Sequence, residues 1–536
     1  MPEHRKHAGA LPPAWDLAGA GTLPGPEEAG FKAYNLMRMA ALGLPVPPGF
    51  VLSTAWCHAE LAGPIPPAIL DSLLHDRIAR LEAASGLGFG HSRRPLLVSV
   101  RSGAPVSMPG MMDTVLNVGL SDTTVAGFLR ATGDHRLVWD SYRRLVESFA
   151  TVVASHDPAA YAAVLADSLA RQGEERAEHL DFRALRQLCR DYLALYRGLG
   201  HTDFPQDPLA QLAQAVRAVF RSWNSERAFA YRRMHGIGDG LGTAVTVQRM
   251  VFGNAGAGSG AGVAFTRDPA SGENKLYVDW LGNAQGEDIV SGRRTLESAP
   301  LPAVVEARLR EIGAILEREF CDAQELEFTL EHGVLHLLQT RTAKRTPLAA
   351  LRMAVELAEE GLITAAEAVR LLHGVDLDKI ELRRVQAKSP PLARAVPASL
   401  GVASGPIALD DAAARRYAEA GTPPVLVRPE TTTEDIAGIA VAAGLLTGSG
   451  GRTSHAAVVA RQMGVVTLVG CPGLTVDPNA RTLRLGEHVL NEGDPLCLDG
   501  ETGAIYAEAT EIQVEKPKDL LKRLRRLAAA ADRPQP

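Results

Sequence analysis

The chain has 536 residues, enough for several domains that each bury a core, and its 46% hydrophobic and 22% charged content excludes a disordered or fibrous protein. A net charge of −6 leaves no basic footprint for nucleic acid, and no apolar run reaches the length that spans a membrane.

The N-terminal stretch "MPEHRKHAGALPPAWDLAGAG" has basic residues but no continuous apolar segment, so no targeting signal and a cytoplasmic location are expected. From Gly30 to about Val118, helices and strands alternate with turns, as in "FKAYNLMRMAALGLPVPPGFVLST". From about Ser121 to Met234 the pattern is helical, with "HRLVWDSYRRLVESFATVVASH" and "PLAQLAQAVRAVFRSW" as its clearest segments. Between Gly242 and Arg341 it turns strand-rich with glycine punctuation, and helices return through about Arg384. The stretch "VQAKSPPLARAVPASLG" reads as a linker, and roughly Ala398 to Ala507 as a separate α/β domain. The five cysteines lie far apart without a CxxC pair, which predicts buried thiols rather than disulfides or zinc ligands. The expected fold class is therefore α/β and multidomain.

Three segments carry chemistry. In "ELEFTLEHGVLHLLQTR" a three-residue turn Glu331-His332-Gly333 would pair Leu330 with Val334 and Glu325 with Gln339. Leu326, Phe328, Leu330, Val334, His336 and Leu338 then point into a core, and Glu325, Glu327, Gln339 and Arg341 share the other face with Leu335 and Leu337. Hard oxygen ligands there suit Mg²⁺ carried by a nucleotide, and the arginine suits its phosphates; a merely solvated sheet face is the structural alternative. Lys32, at the opening of the first helix, and Arg101, before the glycine-bearing loop with Gly103 and Gly110, are further candidates for phosphate contact. In "TGSGGRTSHAAVVARQMGVVTLVGC" Thr453 or Ser454 can cap a short helix whose first turn holds His455. The helix dipole disfavours imidazolium there and attracts anions, so His455 is either a phosphoryl acceptor or a plain capping residue.

Taken in order, "SVRSGAPVSMPGMMDTVLNVGL", "FPQDP", "VFRSWNSERAFAYRRMHGI", "GTAVTVQRMVFGN", "GVAFTRDPASGENKLYVDWLGNAQGEDIVSG", "LEFTLEHGVLHLLQTRTAKRT" and "GGRTSHAAVVARQMG" resemble the pyruvate, phosphate dikinase family from about Gly30 to Tyr506. Phosphoenolpyruvate synthase and rifampin phosphotransferase look less similar around "SMPGMMDTV" and "NAQGEDIV". The resemblance implies an ATP-grasp nucleotide domain over 1–345 with a helical subdomain at about 121–234, a helical linker over 346–397, a swivelling phosphohistidine domain over 398–510 and a charged tail over 511–536. In the family, ATP and inorganic phosphate yield AMP and pyrophosphate while the histidine carries a phosphoryl group to pyruvate. Carried over, Lys32, Arg101, Glu327, Gln339 and Arg341 would bind ATP, Glu325, Glu327 and Gln339 would hold Mg²⁺, and His455 would be the nucleophile. Thr453 matches the threonine at which the plant relatives are regulated by phosphorylation.

Four positions depart from the family: Glu325 stands for the usual aspartate, Asp279 for glutamate, Pro105 for arginine and Phe31 for glycine. These bear on nucleotide and phosphate specificity. After "GEHVLNEGDPLCLDGETGAIYAEA" the family continues into a barrel that binds pyruvate or phosphoenolpyruvate, which needs on the order of 250 residues. The expected partner is therefore a separate barrel subunit or another acceptor. The alternatives are a catalytically altered nucleotide-binding regulatory protein and a truncated dikinase fragment.

Overall fold

The alternating segments near the N-terminus build an antiparallel sheet from β1 (Ala14–Asp16), β2 (Gly49–Leu52), β3 (Val98–Gly103), β4 (Thr114–Val118) and β5 (Ala244–Arg249), in the order β1-β2-β5-β3-β4. Its central strand β5 is buried from Ala244 to Gln248 on both faces, hence the near-continuous apolar run "AVTV" in place of alternation. The structure, a computed structural model, describes residues 11–19, 21–106, 108, 111–290, 300–386, 389–431, 435–452, 454–507 and 511–531. Two compact units result: Met1–Gly256 with His336–Gln339, and Ala257–Leu335 with Thr340–Pro536.

In the first unit, α1 (Pro26–Ala41) follows β1, and helices occupy Asp122–Thr132, His135–Val152, Pro158–Gln172, Phe182–Gly200, Pro208–Arg221 and Glu226–His235. Four of these start at an aspartate (Asp134, Asp157, Asp181, Asp207) and one at Ser225, each side chain accepting a free N–H of the first turn. Their apolar faces, including Leu145, Phe149, Leu185, Tyr192 and Phe220, join Phe50, Val98 and Val115 of the sheet in one core.

In the second unit, β6 (Gly260–Phe265), β7 (Tyr277–Gly282), β8 (Gln324–Glu331) and β9 (Val334–Thr342) make an antiparallel sheet in the order β9-β8-β6-β7. The turn between β8 and β9 is tighter than the expected three residues. His332 and Gly333 alone form it, with φ of 50° and 82°, the two positive values that a two-residue hairpin turn of the primed type requires. The helix Ala303–Phe320, α2 (Pro347–Glu359) and α3 (Ala365–Leu371) accompany this sheet, and β10 (Leu382–Gln386) follows.

The remaining strands form an eight-stranded sheet. Its middle consists of the parallel strands β11 (Val402–Ala408), β12 (Val425–Arg428), β13 (Gly444–Thr447) and β14 (Val466–Val469), joined by the helices Asp411–Glu419, Ile436–Val441 and α4 (His455–Gln462). Within the charged tail, residues 511–531 form two elements. β15 (Glu511–Glu515) pairs antiparallel with β10 over five residues, and α5 (Lys518–Ala531) buries Leu520 and Leu524 in the core that α2 and α3 share.

Candidate active site

Lys32 and Arg101 both belong to the first unit. Gly30 inside α1 has φ 72°, and a Cβ there would meet the Gly103 carbonyl oxygen at 1.8 Å. Only glycine permits so close a passage. The Phe31 N–H donates to the Ala104 carbonyl at 3.0 Å, tying the start of the Lys32 turn to the end of β3, which carries Arg101. Both side chains are half-buried. Gln339 also counts with this unit, while Glu325, Glu327 and Arg341 belong to the second. Gly110 and Thr453 lie outside the described residues, as does the side chain of His455.

The hairpin face forms part of a wider surface. Phe265 pairs with Glu325 on one side and Tyr277 on the other, and Val263 pairs likewise with Glu327 and Asp279. Directly paired residues share a face, so Tyr277, Asp279, Glu325 and Glu327 stand together. Arg341 pairs with Glu325, and the Tyr277 hydroxyl donates to Asp279. The guanidinium of Arg341 therefore reaches Glu325 as expected, although the tighter turn pairs Glu331 with Val334 in place of Leu330 with Val334. What differs is burial: Glu325 is 2% exposed and Asp279 3%, so the polar face is enclosed, whereas Val334, expected in the core, is exposed. The opposite face buries Leu326, Phe328 and Leu330 as expected.

Electrostatics follow from this enclosure. Burial works against the charge of Arg341, but Glu325 and Glu327 raise its pKa above the ordinary arginine value. Burial, with Arg341 close by, lowers the pKa of Lys344. Burial beside Asp279 pushes Tyr277 well above the usual phenol range. The carboxylate oxygens suit a hard cation, and Glu325 Oε2 is buried with no protein partner. Among the described residues no three His, Cys, Asp or Glu side chains are grouped to cage an ion. The donors therefore fit Mg²⁺ that takes its remaining ligands from phosphates and water.

α4 begins past the carboxyl end of β13, the edge at which parallel α/β sheets bind ligands. Gly450, at φ 92°, turns the chain, and the Ser454 hydroxyl caps the helix by accepting the Ala457 N–H at 3.4 Å. Two arginines that sequence reasoning passed over bring this helix to the carboxylate face. Arg461, 1% exposed, donates to the carbonyls of Ala398 (2.9 Å) and Arg452 (2.7 Å) and lies 5.9 Å from the centre of the Phe265 ring. Burial lowers its pKa, and Glu325 and Asp279 are the charges that hold it up. Arg452 stacks on Tyr277 at 4.3 Å and pairs with Asp268 at 3.5 Å. The available signal was a guanidinium among Ala457, Val458 and Ala460 on a short apolar helix, where nothing but a specific partner justifies a charge.

Residues 61–302 match the family described as the AMP/ATP-binding domain of pyruvate phosphate dikinase, and residues 421–503 match the mobile domain of PEP-utilising enzymes. The chain is 43% identical to a pyruvate, phosphate dikinase of Clostridium symbiosum over 90% of its own length and 56% of the relative's. For that of Rhizobium meliloti (strain 1021) the values are 42%, 94% and 59%. For pyruvate, phosphate dikinase 2 of Zea mays they are 42%, 89% and 55%. The chain thus spans between half and three-fifths of the length of these relatives. No described helix is long and apolar enough to cross a membrane.

Proposed function

Because the chain belongs to the pyruvate, phosphate dikinase family, we propose that it is an ATP-dependent phosphotransferase in which a ring nitrogen of His455 accepts a phosphoryl group from ATP. The group comes from the β position. With inorganic phosphate as second substrate, AMP and pyrophosphate leave, and the phosphorus balance closes with one phosphate on the ring. Onward transfer goes to pyruvate or another acceptor, on a separate protein if none is built from this chain.

The chain's own residues supply charge neutralisation and alignment, the two things that phosphoryl transfer asks of a protein. Lys32, Arg101 and Arg341 neutralise the polyphosphate. Glu325, Glu327 and Gln339 would hold Mg²⁺, which when bound screens the phosphate oxygens as the new N–P bond forms. The first turn of α4 presents free N–H groups to the arriving phosphate and favours the neutral, nucleophilic imidazole.

The observation that supports this reading best is that the helix opening with His455 packs, through Arg461 and Arg452, on the same sheet face as Tyr277, Asp279 and Glu325. ATP labelled at the β-phosphate should leave acid-labile, alkali-stable label on the wild-type chain and none on His455→Asn. Equal labelling of both, or label on neither, would remove the phosphocarrier reading and leave a nucleotide-binding regulatory protein.

A further inference from the structure

We infer that Arg452 is a latch that holds the histidine-bearing half of the second unit against its antiparallel sheet, and so sets how often His455 is presented to the nucleotide. The inference rests on the proposed phosphotransfer for its catalytic consequence, though not for its structural content.

The two ends of Arg452 are held from opposite sides. Its carbonyl accepts from Arg461, which is anchored to the Ala398 carbonyl within the parallel-sheet half. Its guanidinium reaches out of that half to Tyr277 and Asp268. The receiving groups are prepared for it. The Tyr277 hydroxyl is committed to Asp279, which leaves the ring face for the cation. Asp268 uses Oδ1 to accept the N–H groups of Ala270 and Ser271, at 2.8 and 2.9 Å, and so offers Oδ2 from a braced loop. The guanidinium is 18% exposed and Asp268 21%, enough desolvation for the attraction to count and enough water access for it to be broken. A residue needed only to shape the loop would not require a side chain bonded to the other sheet.

Arg452→Met keeps the apolar stem and removes the charge, and Arg452→Lys keeps a charge with poorer stacking. We expect Arg452→Met to lower the maximal rate of ATP-dependent His455 labelling about ten-fold with little change in the KM for ATP, and the lysine variant to recover part of it. Phosphoramidate, a small donor that needs no nucleotide site, should phosphorylate His455 in the Met variant as fast as in wild type, because the ring itself is undamaged. In the nucleotide-free chain, hydrogen exchange should rise in Arg452→Met over both Tyr277–Gly282 and His455–Gln462, a readout independent of any activity. Unchanged exchange in both segments would overturn the latch. So would an equal loss of phosphoramidate reactivity, which marks local loop damage. Failure of wild type to label from ATP would instead strike the proposed function, with the exchange result still deciding the latch.

Discussion

Replacing Gly30 by alanine tests whether the close approach of α1 to β3 places Lys32. At φ 72° and ψ 150° Gly30 occupies a region that is essentially glycine-only, and another residue there costs about 1–3 kcal/mol. That is only part of the penalty, since the new Cβ would fall 1.8 Å from the Gly103 oxygen and 2.6 Å from its carbon, where nothing under 3.0 Å is tolerated. Both atoms are backbone, so relief requires the helix and strand to part by roughly 1 Å in a close-packed region. The Phe31 to Ala104 hydrogen bond is then lost, worth about 1 kcal/mol more. Gly43 supplies the control: its φ is also 72°, and a Cβ there meets nothing within 4 Å. We expect destabilisation of about 3 kcal/mol for Gly30→Ala and about 1 kcal/mol for Gly43→Ala. In a thermal melt that difference is a gap of about 4–8 °C for a unit of this size. A Lys32 displaced by about 1 Å should also cut His455 labelling on the order of 100-fold in the folded variant. Melting temperatures and labelling rates that match between the two variants would refute the argument.

Glu327→Ala should abolish labelling while leaving the melting temperature nearly unchanged, because this half-buried side chain serves the polar face. Phe328→Ala, which removes a 1% exposed ring stacked on Trp280 at 5.9 Å, should cost about 3–5 kcal/mol in chemical denaturation. The pair discriminates the two faces, and equal loss of stability would contradict them. Asp140, 4% exposed, is subject to desolvation that would raise its pKa, yet Arg143 and Arg144 outweigh this and hold it well below the usual carboxylate range. A folded-state pKa below the unfolded one contributes stability at neutral pH that disappears as pH falls through the folded value. Asp140→Asn should therefore cost about 3 kcal/mol at pH 7 by leaving buried Arg143 with Glu147 as its one carboxylate partner among the described residues, and the gap to wild type should narrow steadily below pH ~4. A gap that is constant with pH would refute the charge argument.

Sequence periodicity was a good guide wherever one face of an element meets a core and the other meets water. It yielded the helices between Asp122 and His235, the apolar side of β8, and the meeting of Glu325 with Arg341. It failed where both faces are covered. Alternation cannot distinguish a wet polar face from an enclosed one, so the burial of Glu325 and Asp279 was invisible. The hairpin turn was misjudged by one residue because His332 adopts a positive φ, which histidine tolerates and which composition does not announce. Contacts between sequence-distant segments left the faintest trace: Asp268 and Tyr277 come from one stretch and Arg452 and Arg461 from another, and only the odd position of Arg461 in an apolar helix hinted at them.

That arginine also bears on the proposed nucleotide role of the enclosed face. Glu325 Oε2 and Arg461 Nη1 are both buried without a protein partner, although Glu325 is near enough for its charge to raise the Arg461 pKa. Each group is already held, Glu325 through Oε1 by Arg341 and Arg461 by the carbonyls of Ala398 and Arg452, so one bonding atom of each is left over. Under the proposed function, a spare carboxylate oxygen and a spare guanidinium nitrogen on one surface are complementary to a ligand that carries both signs. A metal–nucleotide complex is such a ligand, its cation meeting carboxylate oxygens and its phosphates meeting guanidinium groups.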